Sequence, residues 1–181
     1  MQSVPKESWI NPKIRLRRSN LHGKGMFARK PIKEGEVVLI WGESYKGKRS
    51  EYTDDKKKAM SAKKNGKLVL QYDENLWSIE ERGAGDDYFI NHSCDSSLWF
   101  NDAFTLAVRQ PIRAGEEVTL DYALFETDDY KSKWVCRCGS LNCRKVITGH
   151  DWQRPDVQQR YKGHFTPLIN KQIAKRLQES L

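Results

Sequence analysis

The chain has 181 residues, which suits one ordinary domain with a short appendage and excludes two large domains. Apolar residues make up 38% and aromatic residues 10% of the chain, enough for a packed core, so disorder throughout is excluded. The 32 basic residues outnumber the 24 acidic ones and give a formal charge of +8, which fits either a nucleic-acid partner or simple solubility.

The chain carries no apolar run near the roughly 18 to 20 residues that cross a bilayer, and its first ten residues do not resemble a signal peptide. We therefore expect no membrane contact and an intracellular location, in the cytoplasm, nucleoid or nucleus, rather than secretion. Residues 1–12 mix proline, serine and asparagine without periodicity, and they are predicted to form an N-terminal arm.

Short strands are predicted between residues 13 and 41, in KIRLRR, GMFARK and EVVLIW, with glycine-containing turns between them. The stretch 44–66 is rich in lysine, serine and aspartate and is predicted to be a surface insertion with a short helix starting near Thr53. Its positive run is either a solvated face or a docking patch for acidic or nucleic-acid partners. Alternating apolar residues predict three further half-buried strands, at Leu68 to Tyr72, Phe104 to Val108 and Val118 to Tyr122.

The C-terminal stretch is predicted to be helical. Pro155 to Arg160 can begin a helix that Gly163 ends, and Thr166-Pro167 supplies an N-cap followed by proline at the first helical position. A last helix is then predicted from about Pro167 to Gln178. An apolar stripe at every fourth position is expected to pack on the body, and it consists of Ile169, Ile173 and Leu177.

The cysteines are concentrated in CRCGSLNC, where Cys136, Cys138 and Cys143 follow the spacing C-x-C-x4-C. Two cysteines one residue apart rarely reach disulfide geometry, and secreted scaffolds usually distribute their cysteines through the chain. The triplet therefore predicts three corners of a zinc tetrahedron, against the alternative of ordinary reduced cysteines. The candidates for the fourth ligand are one remaining thiol and two histidines, Cys94, His150 and His164.

Three other segments combine glycine or polar residues in patterns that a simple core does not need. The first is HGKGMFA, in which two glycines flank one residue and allow a close approach of backbone to a ligand. The second, YFINHSCD, runs from aromatic residues directly into a polar cluster, which by itself also fits a polar loop that only stabilises the fold. The third, GEEVTLDY, is a turn followed by a strand that ends in Tyr122, which by itself fits an ordinary core tyrosine.

Taken in this order and followed by the cysteine cluster, these segments resemble the SET-domain protein lysine methyltransferases with a post-SET zinc motif. HGKGMFA resembles the family's N-terminal G-x-G loop, and YFINHSCD resembles its R-F-I-N-H-S-C-x-P-N signature. GEEVTLDY resembles its G-E-E-L-T-x-D-Y strand, and CRCGSLNCRK its post-SET cysteine motif. The resemblance extends from about Ile14 to Ile147 and suggests a compact, free-standing version of the family.

The resemblance implies a mostly β fold of several small sheets with short helices, in which the C-terminal strand segment passes under the loop containing Asn91 in a knot-like threading. It implies a SET domain at 13–130 that contains the lysine-rich insertion, and a post-SET zinc segment at 131–148. The helical C-terminal tail at 149–181 is predicted from its own residue pattern and lies outside the resemblance.

The resemblance also implies methyl transfer from S-adenosylmethionine to the side-chain amine of a protein lysine, in a narrow channel where cofactor and peptide meet. Tyr122 is then the catalytic residue, and it acts by positioning the amine because a tyrosine with a pKa near 10 is a poor base at neutral pH. The implied cofactor-binding residues are Lys24, Gly25, Met26, Tyr88, Asn91, His92 and Tyr122. The candidates for the remaining channel wall are Tyr72, Trp77, Tyr88, Trp99 and Phe104, although aromatic residues of this kind are more often core residues than channel residues.

By the same resemblance Cys94 is the fourth ligand of a structural zinc ion, with Cys136, Cys138 and Cys143. The chain departs from the family pattern at two places. Tyr88 replaces the usual arginine of the signature, and Ser96-Ser97 replaces its Pro-Asn.

The implied partner is a protein that bears a target lysine, with a basic DNA-associated protein as one candidate. Local acids would then attract the basic peptide, namely Glu80, Glu81, Asp86 and Asp87. An alternative function is a catalytically silent zinc-containing module that binds nucleic acid or acidic partners through its lysine-rich face. The sequence leaves the substrate, the number of methyl groups and the oligomeric state open.

Overall fold

The computed structural model describes residues 3–46, 48–83, 85–127 and 130–179, so the ends of the predicted arm and tail lie outside it. The strands within this part are β1 (Trp9–Ile10), β2 (Ile14–Arg18), β3 (Lys24–Ala28), β4 (Val37–Ile40), β5 (Ser44–Tyr45), β6 (Lys48–Arg49), β7 (Glu51–Thr53), β8 (Leu68–Asp73), β9 (Leu76–Glu80), β10 (Asn91–His92), β11 (Leu98–Phe100), β12 (Thr105–Val108) and β13 (Glu117–Leu120). The helices are α1 (Lys56–Lys64), α2 (Pro155–Arg160) and α3 (Pro167–Glu179), and single 3₁₀ turns occur at Asp86–Phe89, Tyr122–Leu124 and Asp151–Gln153.

The strands form one large sheet, one three-stranded sheet and one short hairpin. The large sheet has the order β1-β4-β12-β11-β13-β3-β2, and β10 pairs with β13 beside this path. The second sheet has the order β7-β9-β8, and β5 pairs with β6. The molecule is therefore mostly β with several sheets, as the resemblance implies.

Local sequence explains where the elements begin and turn. Gly23, with φ of 49°, closes the turn from β2 into β3, because a left-handed backbone costs glycine little. α1 begins after Asp55, whose carboxylate accepts hydrogen bonds from the amides of Lys57 and Lys58. This helix starts three residues after the predicted position at Thr53.

The C-terminal helices belong to the same hydrophobic core as the large sheet. Val157, Tyr161, Phe165 and Ile169 are at most 2% exposed and pack in one cluster with residues of β3, β4, β12 and β13. The predicted apolar stripe of α3 is buried only at its start, since Leu177 is 61% exposed. The tail therefore stabilises the body by burying apolar surface.

Two features differ from the sequence predictions. Part of the predicted arm is ordered, because Trp9 and Ile10 pair with Ile40 and Leu39 as strand β1. The strand before Tyr122 ends at Leu120, and Tyr122 instead begins a 3₁₀ turn capped by Asp121. No helix in the described ranges has the length and apolar character that a membrane span requires.

Candidate active site

Asn91 connects three distant segments of the chain. Strands β10 and β13 run parallel with Asn91 opposite Thr119, so Asn91 lies beside the strand that leads to Tyr122. Its side-chain amide donates to the Lys24 carbonyl at 3.0 Å and to Glu117 Oε1 at 2.6 Å. The glycine-containing loop, the polar segment and β13 are therefore joined at one side chain, as the ordered motifs predict.

Gly25 allows this junction to close. A β-carbon at Gly25 would lie 2.0 Å from Glu117 Oε1 and 2.9 Å from the Asn91 amide nitrogen, both closer than real contacts. Glu117 also accepts a hydrogen bond from the Ser19 hydroxyl at 2.8 Å, which holds the carboxylate in place. A side chain at this position would therefore have to displace the Glu117 carboxylate or the Asn91 amide and disturb the hydrogen bond between them.

Tyr122 is held with its hydroxyl and its backbone both bonded. The hydroxyl donates to the Ile90 carbonyl at 3.0 Å, and the backbone amide donates to His92 Nδ1 at 3.2 Å. Burial raises the pKa of Tyr122 well above its ordinary value, so the phenol stays protonated at neutral pH. Burial lowers the pKa of His92 to about 4, so His92 is neutral at pH 7. Since its Nδ1 accepts the bond from Tyr122, its proton is assigned to Nε2, and this nitrogen lies 3.3 Å from the Cys94 sulfur.

Two cavities meet at Tyr122. The larger has a volume of about 360 Å³ and the smaller about 60 Å³. Four residues line both of them, namely His22, Asn91, Tyr122 and Trp134. Lys24, Asn91 and Tyr122, from three separate motifs, line the larger cavity together. Tyr122 therefore contributes to the walls of both cavities.

Aromatic rings surround Tyr122 in this region. The ring centroid of Phe125 lies 5.3 Å and that of Trp134 lies 6.4 Å from the Tyr122 centroid. Tyr130 also lines the larger cavity, and burial raises its pKa to about 12. Such walls exclude water and attract organic cations through their π faces.

Two carboxylates lie in the same larger cavity. Burial raises the pKa of Glu80, and the nearby Asp87 raises it further. Burial likewise raises the pKa of Asp87, although hydrogen bonds to its carboxylate partly oppose the shift. A cation that entered this cavity would relieve the cost of ionising these two groups.

The four cysteines form one cluster. Their sulfur atoms all lie within 4.8 Å of one another, and the Cys94 and Cys136 sulfurs are 4.0 Å apart. A zinc tetrahedron with bonds of about 2.3 Å requires sulfur separations of about 3.8 Å, so the cluster fits zinc with little movement. The two histidine candidates lie elsewhere, because His164 stacks on Trp99 at 3.5 Å and His150 caps a 3₁₀ turn.

The surroundings shift the pKa values of the Cys94, Cys136 and Cys138 thiols in different directions. Burial raises the pKa of Cys94 above its ordinary range and that of Cys136 to about 12. Burial also acts on Cys138, but hydrogen bonds from backbone groups of Cys94 and Ser140 outweigh it and lower its pKa to about 7. Buried, crowded thiols of this kind ionise together when a metal ion binds them.

Arg144 links the cysteine cluster to Tyr122 through buried charges. Its backbone amide donates to the Cys94 sulfur at 3.3 Å. Its guanidinium donates to Asp121 Oδ2 at 2.8 Å and to Asp151 Oδ2 at 2.7 Å, and all three side chains are at most 10% exposed. Because Asp121 precedes Tyr122, Arg144 joins the segment that contains Cys136, Cys138 and Cys143 to the turn that carries the tyrosine.

The predicted cofactor residues differ in where they lie. Lys24, Tyr88, Asn91 and Tyr122 line the larger cavity, and His92 lines the smaller one. Gly25 packs beneath the junction, and the side chain of Met26 is fully buried in the core.

Most of the predicted channel-wall aromatics belong to other environments. Tyr88 lines the larger cavity, whereas Tyr72 and Phe104 are buried in the core with ring centroids 5.3 Å apart. Trp77 lines a separate small cavity beneath α1, and Trp99 stacks on His164.

Sequence reasoning missed several residues that line the cavities, of which the main ones are His22, Trp41, Phe125, Tyr130 and Trp134. A signal existed for Trp134, which precedes the cysteine triplet by two residues, and for His22, which belongs to the quoted HGKGMFA segment. Trp41 sits at the end of a strand-like run and carries no comparable signal.

These features define a mostly β fold in which two cavities that share Tyr122 adjoin a cluster of four cysteines that could hold a metal ion. The family model of the SET domain matches residues 23–123. The chain therefore belongs to the SET domain family.

Similar curated proteins have names that refer to one reaction. The chain is 32% identical over 140 residues to the histone-lysine N-methyltransferase trithorax of Drosophila virilis, which covers 72% of this chain and 3% of that protein. It is 31% identical over 140 residues to histone-lysine N-methyltransferase 2B of Homo sapiens, covering 72% of this chain and 5% of that protein. It is 27% identical over 162 residues to the histone-lysine N-methyltransferase Su(var)3-9 of Drosophila pseudoobscura pseudoobscura, covering 76% of this chain and 25% of that protein. The chain spans a quarter or less of these relatives.

Proposed function

We propose that this chain transfers a methyl group from S-adenosylmethionine to the side-chain amine of a protein lysine. The observation that carries the proposal is the pair of cavities that meet at Tyr122. A transfer between two substrates that enter from different sides needs such a junction, because donor and acceptor must align at one point. The names of the relatives support the same reaction.

The cofactor is proposed to lie between the 22–24 loop, the Asn91-His92 pair and Trp134. The smaller cavity of about 60 Å³ is too small for the whole molecule, so the cofactor would extend into the larger one. When bound, S-adenosylmethionine supplies a methyl group on a positively charged sulfur. The aromatic walls and buried polar groups present at this junction suit a ligand with both an aromatic and a charged part.

The target lysine is proposed to reach Tyr122 through the larger cavity. A free lysine has a pKa near 10.4, so making its amine neutral at pH 7 costs about 4 to 5 kcal/mol. Removal of water by the aromatic walls reduces this cost, because burial disfavours the ammonium. Glu80 and Asp87 would attract the amine, or a basic neighbour of the lysine, before it loses its proton.

Tyr122 is proposed to position the amine and not to deprotonate it. Its raised pKa excludes a phenolate at neutral pH. Since its hydroxyl proton is donated to the Ile90 carbonyl, the oxygen lone pairs remain able to accept an N–H from the amine. An acceptor fixed at this place would orient the nitrogen lone pair toward the methyl group.

The zinc ion is proposed to be structural, with Cys94, Cys136, Cys138 and Cys143 as its ligands. Four thiolates fill a tetrahedron and leave no open position for catalysis. Cys136 and Cys138 also line the smaller cavity, so the metal would fix one wall of the cofactor site.

Histones or other basic DNA-associated proteins are the proposed substrates, which would place the protein where such proteins act, in a nucleus or nucleoid. The test is incubation with labelled S-adenosylmethionine and either purified histones or a proteome extract, followed by mass spectrometry of modified lysines. Tyr122→Phe is the matched variant, since it removes one oxygen and keeps the ring. We expect label on lysine with the natural chain and at least a roughly hundredfold lower rate with the variant. Absence of labelled lysine from every pool would end the proposal.

A further inference from the structure

The positive charge of the chain is concentrated in one short segment. Residues 44–67 carry nine basic and three acidic residues, which accounts for a charge of +6 out of the total of +8. The basic residues are Lys46, Lys48, Arg49, Lys56, Lys57, Lys58, Lys63, Lys64 and Lys67. The rest of the chain is nearly balanced, so solubility alone does not explain this distribution.

Three of these lysines are exposed and unpaired on α1. Lys58 forms an ion pair with Glu51, whereas Lys56, Lys57 and Lys64 have no acidic side chain within ion-pair distance in the described part of the chain. A spacing of seven residues places Lys57 and Lys64 on one face, about 10 Å apart along the axis. The buried Ala59 packs the opposite side of the helix onto the body.

The first turn of α1 opposes the helix dipole. It contains Lys56, Lys57 and Lys58 and no acidic residue, although the positive end of a helix favours negative charge. Asp55 caps the helix but leaves an excess of positive charge there. An external polyanion bound near this turn would neutralise the excess positive charge of the first turn.

We propose that Lys56, Lys57 and Lys64, which we call the α1 lysine surface, bind the phosphate backbone of duplex DNA. Lysine is depleted at protein–protein interfaces, which are rich in aromatic residues and arginine, so an acidic protein fits this surface less well. Binding of single strands relies on exposed aromatic rings for base stacking. The exposed large apolar residues of the described chain lie elsewhere, and α1 carries no aromatic residue.

The α1 lysine surface lies close to the proposed active site. Met60 and Lys63 of α1 line a small cavity together with Phe125 and Glu126, and the latter two also line the larger cavity beside Tyr122. The functional interpretation of this proximity rests on the proposed function. A strongly basic enzyme repels a free basic substrate, but it is attracted to the DNA that carries such a substrate.

The test compares duplex DNA binding of the natural chain and of the triple variant Lys56→Gln/Lys57→Gln/Lys64→Gln between 50 and 200 mM salt. The matched control is Arg29→Gln/Lys30→Gln/Lys33→Gln, which removes three exposed charges from the connection between β3 and β4. If the three lysines each neutralise one phosphate, the salt slope falls by about 2.7 in the triple variant. The natural chain should then lose about 40-fold more affinity than the triple variant across this range.

The control variant should keep most of the natural salt slope. Equal losses in the two variants would show an unlocalised charge effect and overturn the assignment. Equal binding of polyglutamate of matched charge, or tighter binding of single-stranded DNA, would also overturn it.

Methylation separates this inference from the proposed function. The triple variant should methylate free histone at the natural rate or faster, because it repels a basic substrate less, and DNA-bound histone several times more slowly. If the natural chain binds duplex DNA but methylates nothing, the proposed methyl transfer is refuted and the proposed DNA binding stands. If it methylates lysine but does not bind duplex DNA, the DNA binding is refuted and the methyl transfer stands. Thermal unfolding of the triple variant should occur near the natural temperature or above it, because Lys56 and Lys57 oppose the helix dipole and only Lys64, in the last turn, favours it.

Discussion

Replacement of Arg144 tests whether the cysteine cluster holds Tyr122 in place. The variant Arg144→Met keeps a long side chain and removes the guanidinium, which donates to both Asp121 and Asp151. Both carboxylates would then stay buried without their cation, since Asp121 is 0% and Asp151 8% exposed. We expect a folded protein of much lower stability and activity.

The magnitude follows from the burial of the network. Removal of one partner from a buried ion pair costs about 3 to 5 kcal/mol, and a domain of this kind has about 5 to 15 kcal/mol in total. Turnover should fall by roughly two orders of magnitude, because a shift of about 1 Å at a positioning residue has this effect. Arg144→Lys should lose less of both, since it keeps a charge but not the fork that spans two carboxylates.

The assay is urea unfolding at one fixed free zinc concentration, with zinc content and turnover measured on the same samples. The double variant Asp121→Asn/Arg144→Met completes a thermodynamic cycle. The two single losses should exceed the double loss in sum, because each removes the same interaction. A fall of less than about 1 kcal/mol in the free energy of unfolding of Arg144→Met would refute the link between the cysteine cluster and Tyr122. Additive losses in the cycle would refute it as well.

Three further predictions concern the glycine junction, the acidic pair and the metal. Gly25→Ala should abolish cofactor binding in calorimetry, because its β-carbon would meet Glu117 at 2.0 Å; natural affinity would contradict this. Burial and Asp87 raise the folded-state pKa of Glu80, so its charge opposes folding above the unfolded value of about 4.5. Glu80→Gln should therefore raise the unfolding temperature at pH 8 and leave it unchanged near pH 3, and an equal gain at both would exclude titration as the cause. Cys138→Ser should lose the bound zinc measured by elemental analysis, and an unchanged zinc content would overturn the four-thiolate assignment.

Much of the fold was predictable because local patterns agree with the final structure. The alternating apolar residues predict the strands β8, β12 and β13, and Thr166-Pro167 predicts the start of α3. The prediction that these strands are half-buried is wrong for β12 and β13, which are each buried at three of four positions. Trp9 and Ile10 gave no such signal, because a strand of two residues is too short to show an alternating pattern. Its formation depends on the exposed edge of β4, which only the folded sheet provides.

The site residues that belong to fixed motifs were predictable from the sequence. The residues whose place in the site depends on the three-dimensional path of the chain were not. Of the aromatic candidates for the channel wall, Tyr72 and Phe104 pack in the core, because an aromatic side chain on or beside a strand can face either the core or a cavity. Trp134 and Tyr130 were missed because their position depends on how the cysteine segment folds back over Tyr122. Arg144 was quoted as part of a motif, but its role depends on two carboxylates that are 23 and 7 residues away in sequence.

The pairing of β10 with β13 explains why the motifs occur as blocks of fixed length. Successive side chains of a strand point to opposite faces, so a slip of one residue would turn Asn91 away from the Lys24 carbonyl. The register is fixed at several points, which include the bond from the Tyr122 amide to His92 and the bond from the Asn91 amide to Glu117. An insertion between Glu117 and Tyr122 would break one of these bonds whichever register formed. The spacing of five residues is therefore a geometric requirement of the cavity junction, and the site depends on it as much as on the identity of Tyr122.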